Sequence, residues 1–243
     1  MNLYVQKDSA LQRDIIQFTD KKVLCIGRPV CNLHCEWCLN KEFFEENSTV
    51  IEEEEVYQKI DHEDPKETVI GFGYGEPTEF GDDLLYRICM YAFERGFTTY
   101  MTTNGLSGDL EFILEHFTYL DLDIKMTPKY QEKFNKRFSS LFINDYFSRI
   151  NRFMLRCYSN HKPINISILV IPEIWDDFEG NKQFLDYLLS TLQYGSSITL
   201  KSFYSNGTDL SSSFSEDLDI LESKIREAYP SLPFGLHKDI NYY

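Results

Sequence analysis

Short runs dense in β-branched and aromatic residues alternate along this chain with longer stretches whose apolar positions recur every three or four residues. The short runs read as strands: KVLCIG (Lys22 to Gly27), TVIGFG (Thr68 to Gly73), TTYMTT (Thr98 to Thr103), YLDLDIK (Tyr119 to Lys125), INISILVI (Ile164 to Ile171) and SITLKSF (Ser197 to Phe203). The fifth is the most β-branched and is stopped by Pro172. Between them lie helical patterns: EEEEVYQKI from near Glu52, DDLLYRICMYAFERG, GDLEFILEHF with Asp109 in its first turn, KQFLDYLLSTL, and EDLDILESKIREAY ending before Pro230. In the second of these, Leu84, Leu85, Ile88 and Phe93 mark the apolar face and Gly96 the stop. Pro128 to Tyr158 reads as helix broken at SSLFIND.

Strand followed by helix, about six times with short links, predicts a parallel α/β architecture, because parallel strands need crossover helices. Such a series closes as an open doubly wound sheet or as an incomplete barrel. No repeat or low-complexity linker divides it, so the expectation is one domain over residues 1–243, with a core at about 22–204 and a helix and tail at 205–243. In either architecture functional residues gather at the C-terminal ends of the strands. Five polar or glycine-rich segments follow strands here: the loop VCNLHCEWCLN, then GYGEPT, TTNG, DIK and FYSNG.

Composition narrows the function classes. Hydrophobic residues at 42% supply a sizeable core, so disorder is not the default expectation. A net charge of -15 argues against a phosphate-tracking DNA or RNA binder, whose affinity comes from basic surface. No apolar run approaches the roughly 20 residues of a membrane span, and the first residues lack the apolar centre of a signal peptide. The expected setting is cytoplasmic, where thiols stay reduced and a tight cysteine cluster indicates metal or catalysis.

Three of the six cysteines, Cys31, Cys35 and Cys38, fall within eight residues. Thiolates are soft ligands that select zinc, copper(I) or iron-sulfur clusters. A structural zinc site usually has four protein ligands, often in two separated pairs; here there is one trio, and His34 is placed awkwardly beside Cys35. A cubane cluster normally takes four cysteines. With three, one iron keeps an open position. Cys25, Cys89 and Cys157 sit in apolar strand or helix patterns and read as small buried hydrophobes.

The spacing Cys-x3-Cys-x2-Cys, with Trp37 before the last cysteine, resembles the signature of the radical S-adenosylmethionine (radical SAM) enzymes, and it follows the first strand, where that family places it. The resemblance implies a partial (β/α)6 barrel, the radical SAM core. It also implies a 4Fe-4S cluster held by the catalytic, metal-binding Cys31, Cys35 and Cys38, whose fourth iron chelates S-adenosylmethionine. One electron from the cluster then cleaves a carbon-sulfur bond, giving methionine and a 5'-deoxyadenosyl radical that abstracts hydrogen from a substrate. The cofactor carries the hard chemistry and the protein orients it.

Further cofactor contacts follow from the same resemblance. YGEP (Tyr74, Gly75, Glu76, Pro77) resembles the family's Gly-Gly-Glu-Pro segment, which faces the methionine ammonium; Tyr74 replaces the first glycine. Read alone, it is an ordinary strand-to-helix turn. Thr103 and Asn104 of TTNG resemble a segment near the adenosyl group, though an Asn-Gly pair is also a common turn. Asp123 and Lys125 alternate across Ile124 and share one side of the strand end. The lysine suits a cofactor carboxylate, the aspartate a hydroxyl or ammonium; alone, they are a solvated charge pair. Trp37 and Tyr204 complete the set.

Within the family, the likeness is greatest to the pyruvate formate-lyase activating enzyme group, which places a glycyl radical on a partner protein. It runs from about Cys25 to Tyr204 and is strong only at the cysteine loop. It implies a protein or peptide substrate and an electron donor such as flavodoxin or ferredoxin; the acidic charge and the lack of a long apolar run add the expectation of no DNA and no membrane. Several positions depart from the group: Thr102 stands for an aspartate, Ser167 for an arginine, Tyr204 for a histidine, and Pro172-Glu173 for proline-glycine. Cofactor machinery therefore carries over better than substrate machinery. Two other readings stay open, a small-molecule enzyme like 7-carboxy-7-deazaguanine synthase and a structural zinc module.

Overall fold

Each predicted strand forms, and the sheet they build is open, in the order β3-β1-β2-β4-β5-β6-β7-β8-β9. In a computed structural model the chain is described over residues 3–6, 21–38, 48–107, 109–131, 145–193, 195–205, 208–232 and 235–239. It divides into two compact units.

The first unit comprises Met1–Asn32, Leu39–Thr103 and Ser107–Asp121. Here β1 (Leu3–Gln6) pairs antiparallel with both β2 (Lys22–Gly27) and β3 (Ser48–Ile51). From β2 the sheet continues in parallel through β4 (Thr68–Phe72) to β5 (Thr98–Thr103). All five residues of β4 are buried, and Phe72 meets Phe117 edge-on at 5.3 Å. Helix α1 (Glu53–Asp61) places three glutamates in its first turn, where the helix dipole favours negative charge. Helix α2 (Asp82–Glu94) is tied to it by Arg87 on Glu53 and Arg95 on Asp61, both at 2.7 Å.

On α2 the buried face is Leu84, Leu85, Ile88, Cys89 and Ala92, whereas Phe93 is 50% exposed. Phe93 lies one residue past the Leu85–Ile88–Ala92 row, and about 100° of rotation carries it off that face. Gly96, at φ +79°, follows the end of α2 as expected. Asp109 is the N-cap of α3 (Leu110–His116), its carboxylate accepting from the backbone of Glu111 and Phe112. β6 (Tyr119–Ile124) begins in this unit.

The second unit comprises Leu33–Cys38, Asn104–Leu106 and Leu122–Tyr243. Pro128–Tyr130 forms a single 3-10 turn, and α4 spans Tyr146–Ser159. The break expected at SSLFIND lies outside the described residues up to position 144. Then come β7 (Asn165–Leu169), the short α5 (Pro172–Trp175), α6 (Phe178–Ser190), β8 (Ser197–Lys201), α7 (Ser215–Ala228) and β9 (Gly235–Asp239). β7, β8 and β9 pair in parallel.

Period-two alternation separates the faces of β7 and β8. Ile166, Ile168, Ile198 and Leu200 are buried on one side. The other side is polar: Asn165 Oδ1 accepts from Ser197 Oγ at 2.7 Å and from Thr199 Oγ1 at 3.0 Å, and Asn165 Nδ2 donates to Ser167 Oγ at 3.3 Å. Among the described residues, no helix is long and apolar enough to cross a membrane.

Candidate functional site

The loop after β2 anchors itself by two apolar side chains. Leu33 and Trp37 are 3% and 6% exposed, and Trp37 meets Phe203 edge-on at 5.6 Å. Cys31 and Cys35 are half-buried and Cys38 is exposed; all six cysteines are free thiols. A turn from Cys38 N to Cys35 O at 3.1 Å closes the second half of the loop. His34 is exposed. Phe43 and Phe44 lie outside the described residues.

The remaining cysteines occupy a different environment. Cys25, Cys89 and Cys157 are buried, and burial pushes the thiols of Cys89 and Cys157 up to about 12. Thiols in that condition stay protonated and do not ligate metal at neutral pH. Only the trio combines thiol chemistry with access.

In the first unit, the turn after β4 extends the β2–β4 ladder past the strand ends. Gly73 N donates to Ile26 O at 3.2 Å, Arg28 N to Tyr74 O at 3.2 Å, and Glu76 N to Val30 O at 2.8 Å. Gly75 sits at φ +85°, and a Cβ there would lie 2.1 Å from the Arg28 carbonyl oxygen and 2.5 Å from that of Val30. Glycine thus allows the backbone leading to Cys31 to lie directly on this turn. Tyr74 adopts φ +52°, a left-handed conformation that costs an L side chain about 1 kcal/mol. Tyr74→Gly is expected to stabilise the protein by up to about 1 kcal/mol, seen as a higher thermal midpoint. A lower midpoint would mean that packing of the Tyr74 ring outweighs the strain.

Glu76 is 1% exposed, and its Oε1 accepts from Thr78 N at 3.3 Å, Thr78 Oγ1 at 2.8 Å and Thr103 Oγ1 at 2.7 Å. Pro77 opens the short 3-10 turn Pro77–Glu79. The end of β5 and the turn after β4 are therefore joined through one carboxylate oxygen.

In the second unit, Asn104 Oδ1 accepts from Leu106 N at 3.1 Å, closing its own turn. At the end of β6, Asp123 and Lys125 form an ion pair with side chains 17% and 22% exposed. Lys125 N donates to the hydroxyl of Tyr146, fully buried, at 3.0 Å. Burial opposes the charge on Lys125, but Asp123, with smaller contributions from Cys35 and Cys38, more than offsets it and holds its pKa above the ordinary lysine range. Burial likewise opposes charge on Asp123, and Lys125 with Lys201 reverses this, holding the carboxyl below its usual range. Cys35, Cys38, Asp123 and Lys125 thus share one electrostatic neighbourhood.

Lys201 is a member not among the residues expected from the sequence. It ends β8 on the same face as Ser197 and Thr199, so the alternation in SITLK carries the signal. Tyr204 is 55% exposed, while its neighbour Phe203 is 2% exposed and meets Trp37.

An open α/β sheet with parallel strands thus carries an accessible three-thiol loop after the first of them, a soft donor set suited to a metal centre. Comparison agrees: the model of the radical SAM superfamily matches residues 26–185, more than half of the chain. The protein belongs to that superfamily and is an enzyme of it.

A Methanocaldococcus jannaschii protein, provisionally named a glycyl-radical enzyme activating enzyme, is 27% identical over 151 residues, covering 60% of this chain and 60% of its own length. Two solved structures share the fold. One is Streptococcus suis SuiB bound to S-adenosylmethionine, with TM-score 0.64 and 14% identity over 96% of this chain and 52% of its own. The other is anSMEcpe with bound AdoMet and a peptide, with TM-score 0.63 and 15% identity over 89% of this chain and 62% of its own. The chain spans 60% of the curated relative's length and about half of the SuiB chain.

Proposed function

We propose that Cys31, Cys35 and Cys38 hold a 4Fe-4S cluster with one iron left to S-adenosylmethionine, and that the enzyme takes hydrogen from a protein or peptide. The observation that carries this is the donor set: three accessible thiols in one loop, two of them in the same compact unit as the half-buried Lys125. Such soft donors fit an iron-sulfur cluster.

When bound, the cluster and S-adenosylmethionine together supply a 5'-deoxyadenosyl radical. The chain's own residues orient that chemistry. Lys125 stays protonated and offers a cation for the methionine carboxylate. Asp123 stays ionised and accepts from an ammonium or hydroxyl. Glu76 is tied to the cysteine loop through its backbone N–H on the Val30 carbonyl, and one oxygen of its carboxylate is fixed by Thr78 and Thr103. Trp37 and Phe203, packed edge-on, fix the loop on its apolar side.

Two likenesses support a protein or peptide substrate: the name of the 27% identical relative and the peptide bound to anSMEcpe. A flavodoxin or ferredoxin would supply the electron. Deuterated host lysate, split into macromolecular and small-molecule fractions, tests the substrate class. Reduced enzyme with S-adenosylmethionine should release deuterium-labelled 5'-deoxyadenosine from the macromolecular fraction. Label arising only from the small-molecule fraction would replace the peptide reading with the small-molecule one.

A further inference from the structure

Asn32 follows Cys31 directly, and its carboxamide is held twice. Asn32 Nδ2 donates to Glu79 Oε1 at 3.1 Å and to Ser107 Oγ at 2.9 Å. Ser107 gives its own hydroxyl hydrogen to the same glutamate oxygen at 2.7 Å, so the three side chains close a triangle. Ser107 Oγ also lies 2.8 Å from Thr78 Oγ1, which is in turn 2.8 Å from Glu76 Oε1. One run of polar atoms therefore connects the residue after Cys31 to the carboxylate of Glu76.

On the other flank of Cys31, the Val30 carbonyl accepts from Glu76 N at 2.8 Å. Cys31 thus stands between two attachments to the same turn, one through backbone and one through side chain. Fixing both neighbours restricts the φ and ψ of the residue between them, and with these the direction of its thiol. The second attachment has a charged acceptor, which makes it stronger than a neutral pair. Asn32 caps no helix, so helix capping does not explain its hydrogen bonds.

We propose that Asn32 is a positioning residue for the cluster: clamped by Glu79 and Ser107, it holds the backbone that aims the Cys31 thiolate. This rests on the reading that the cysteine trio binds a cluster. Residues that orient metal ligands without touching the metal typically change affinity or activity about 10–100-fold when removed.

Asn32→Leu is near in size and has no donors; Ser107→Ala and Glu79→Ala remove the acceptors one at a time. Each full-length variant is reconstituted anaerobically. The readouts are the electron paramagnetic resonance spectrum of the reduced cluster, the rate of iron loss to a chelator, and the thermal midpoint before iron is added. The three cysteines of the loop should still load iron. The spectrum should change, and iron loss should accelerate about 10–100-fold. Glu79→Gln keeps an acceptor oxygen in place and should restore the original spectrum.

Unchanged spectra and chelation rates in Asn32→Leu and Ser107→Ala, with only a lower thermal midpoint, would overturn the proposal and leave a purely structural role. If Asn32→Leu does not fold, Glu79→Ala against Glu79→Gln decides in the same way. An unsubstituted chain that takes up no iron-sulfur cluster would remove the cluster reading itself, a failure distinct from that of the clamp.

Discussion

Alanine at Cys31, Cys35 or Cys38 is expected to abolish release of 5'-deoxyadenosine and to leave iron well below one cluster per chain. A cubane already one cysteine short of four has no spare protein ligand. Losing another exposes a second iron, and the cluster becomes unstable to oxidation and loss. The fold should survive. The three thiols are half-buried or exposed in a loop that Leu33 and Trp37 anchor, and surface changes of that kind usually fall within about 0.5 kcal/mol. Thermal melts of the iron-free variants should therefore match the parent. Serine at Cys89 should do the reverse, lowering stability by about 1–3 kcal/mol through a buried hydroxyl while iron content holds. Iron analysis alongside melts separates the two groups. Full iron content in all three alanine variants would show that these cysteines are not the ligands.

Gly75→Ala is expected to be the most damaging single-methyl change near the site, costing about 3 kcal/mol or more. Two penalties coincide there. The backbone is left-handed, at φ +85°, and the new Cβ would meet the Arg28 and Val30 carbonyl oxygens at 2.1 and 2.5 Å. Those oxygens belong to main chain, so neither can swing aside as a flexible side chain would. The relief available is to push Arg28–Val30 away, which moves Cys31. Gly81 is the control: it too has a left-handed φ of +97°, but nothing lies within 4 Å of its added Cβ. Gly81→Ala should cost about 1–3 kcal/mol, the backbone term alone. Denaturant unfolding of both variants, with iron content, measures the steric part by difference. Equal losses would mean that the close approach at Gly75 relaxes easily.

Elements with strong periodicity are legible in the amino-acid sequence itself. All six expected strands form, because each carries enough β-branched or aromatic residues and is followed by a helical period. The strands without a readable signal are β1, β3 and β9, of four, four and five residues. GLHKD has no apolar alternation to announce it; it becomes a strand by pairing with β8, a tertiary effect that propensity does not record. Phe93 shows the same limit at the scale of one side chain, since a helical spacing tolerates a residue one step off the face.

The site is legible where covalent chemistry dictates residue type. Three thiols at fixed spacing narrow the choice of ligand, and a charge pair at a strand end can be read from alternation. The supporting residues are not. A glycine after a strand suggests room for a ligand, yet the empty Cβ position of Gly75 is filled by the cysteine loop's own carbonyls. Lys201 and the Asn32–Glu79–Ser107 clamp bring together residues far apart in the chain, and no local pattern announces such meetings. Tyr204 is expected from the family likeness, while no sequence signal marks its neighbour Phe203, which is buried against Trp37.

One open iron is the central claim, and the most direct measurement of it is 5'-deoxyadenosine formed from S-adenosylmethionine by anaerobically reconstituted, dithionite-reduced protein. With about four irons per chain, the enzyme should release 5'-deoxyadenosine together with methionine, and release should stop when the iron is chelated. A fully loaded, reduced protein that leaves S-adenosylmethionine intact would contradict it.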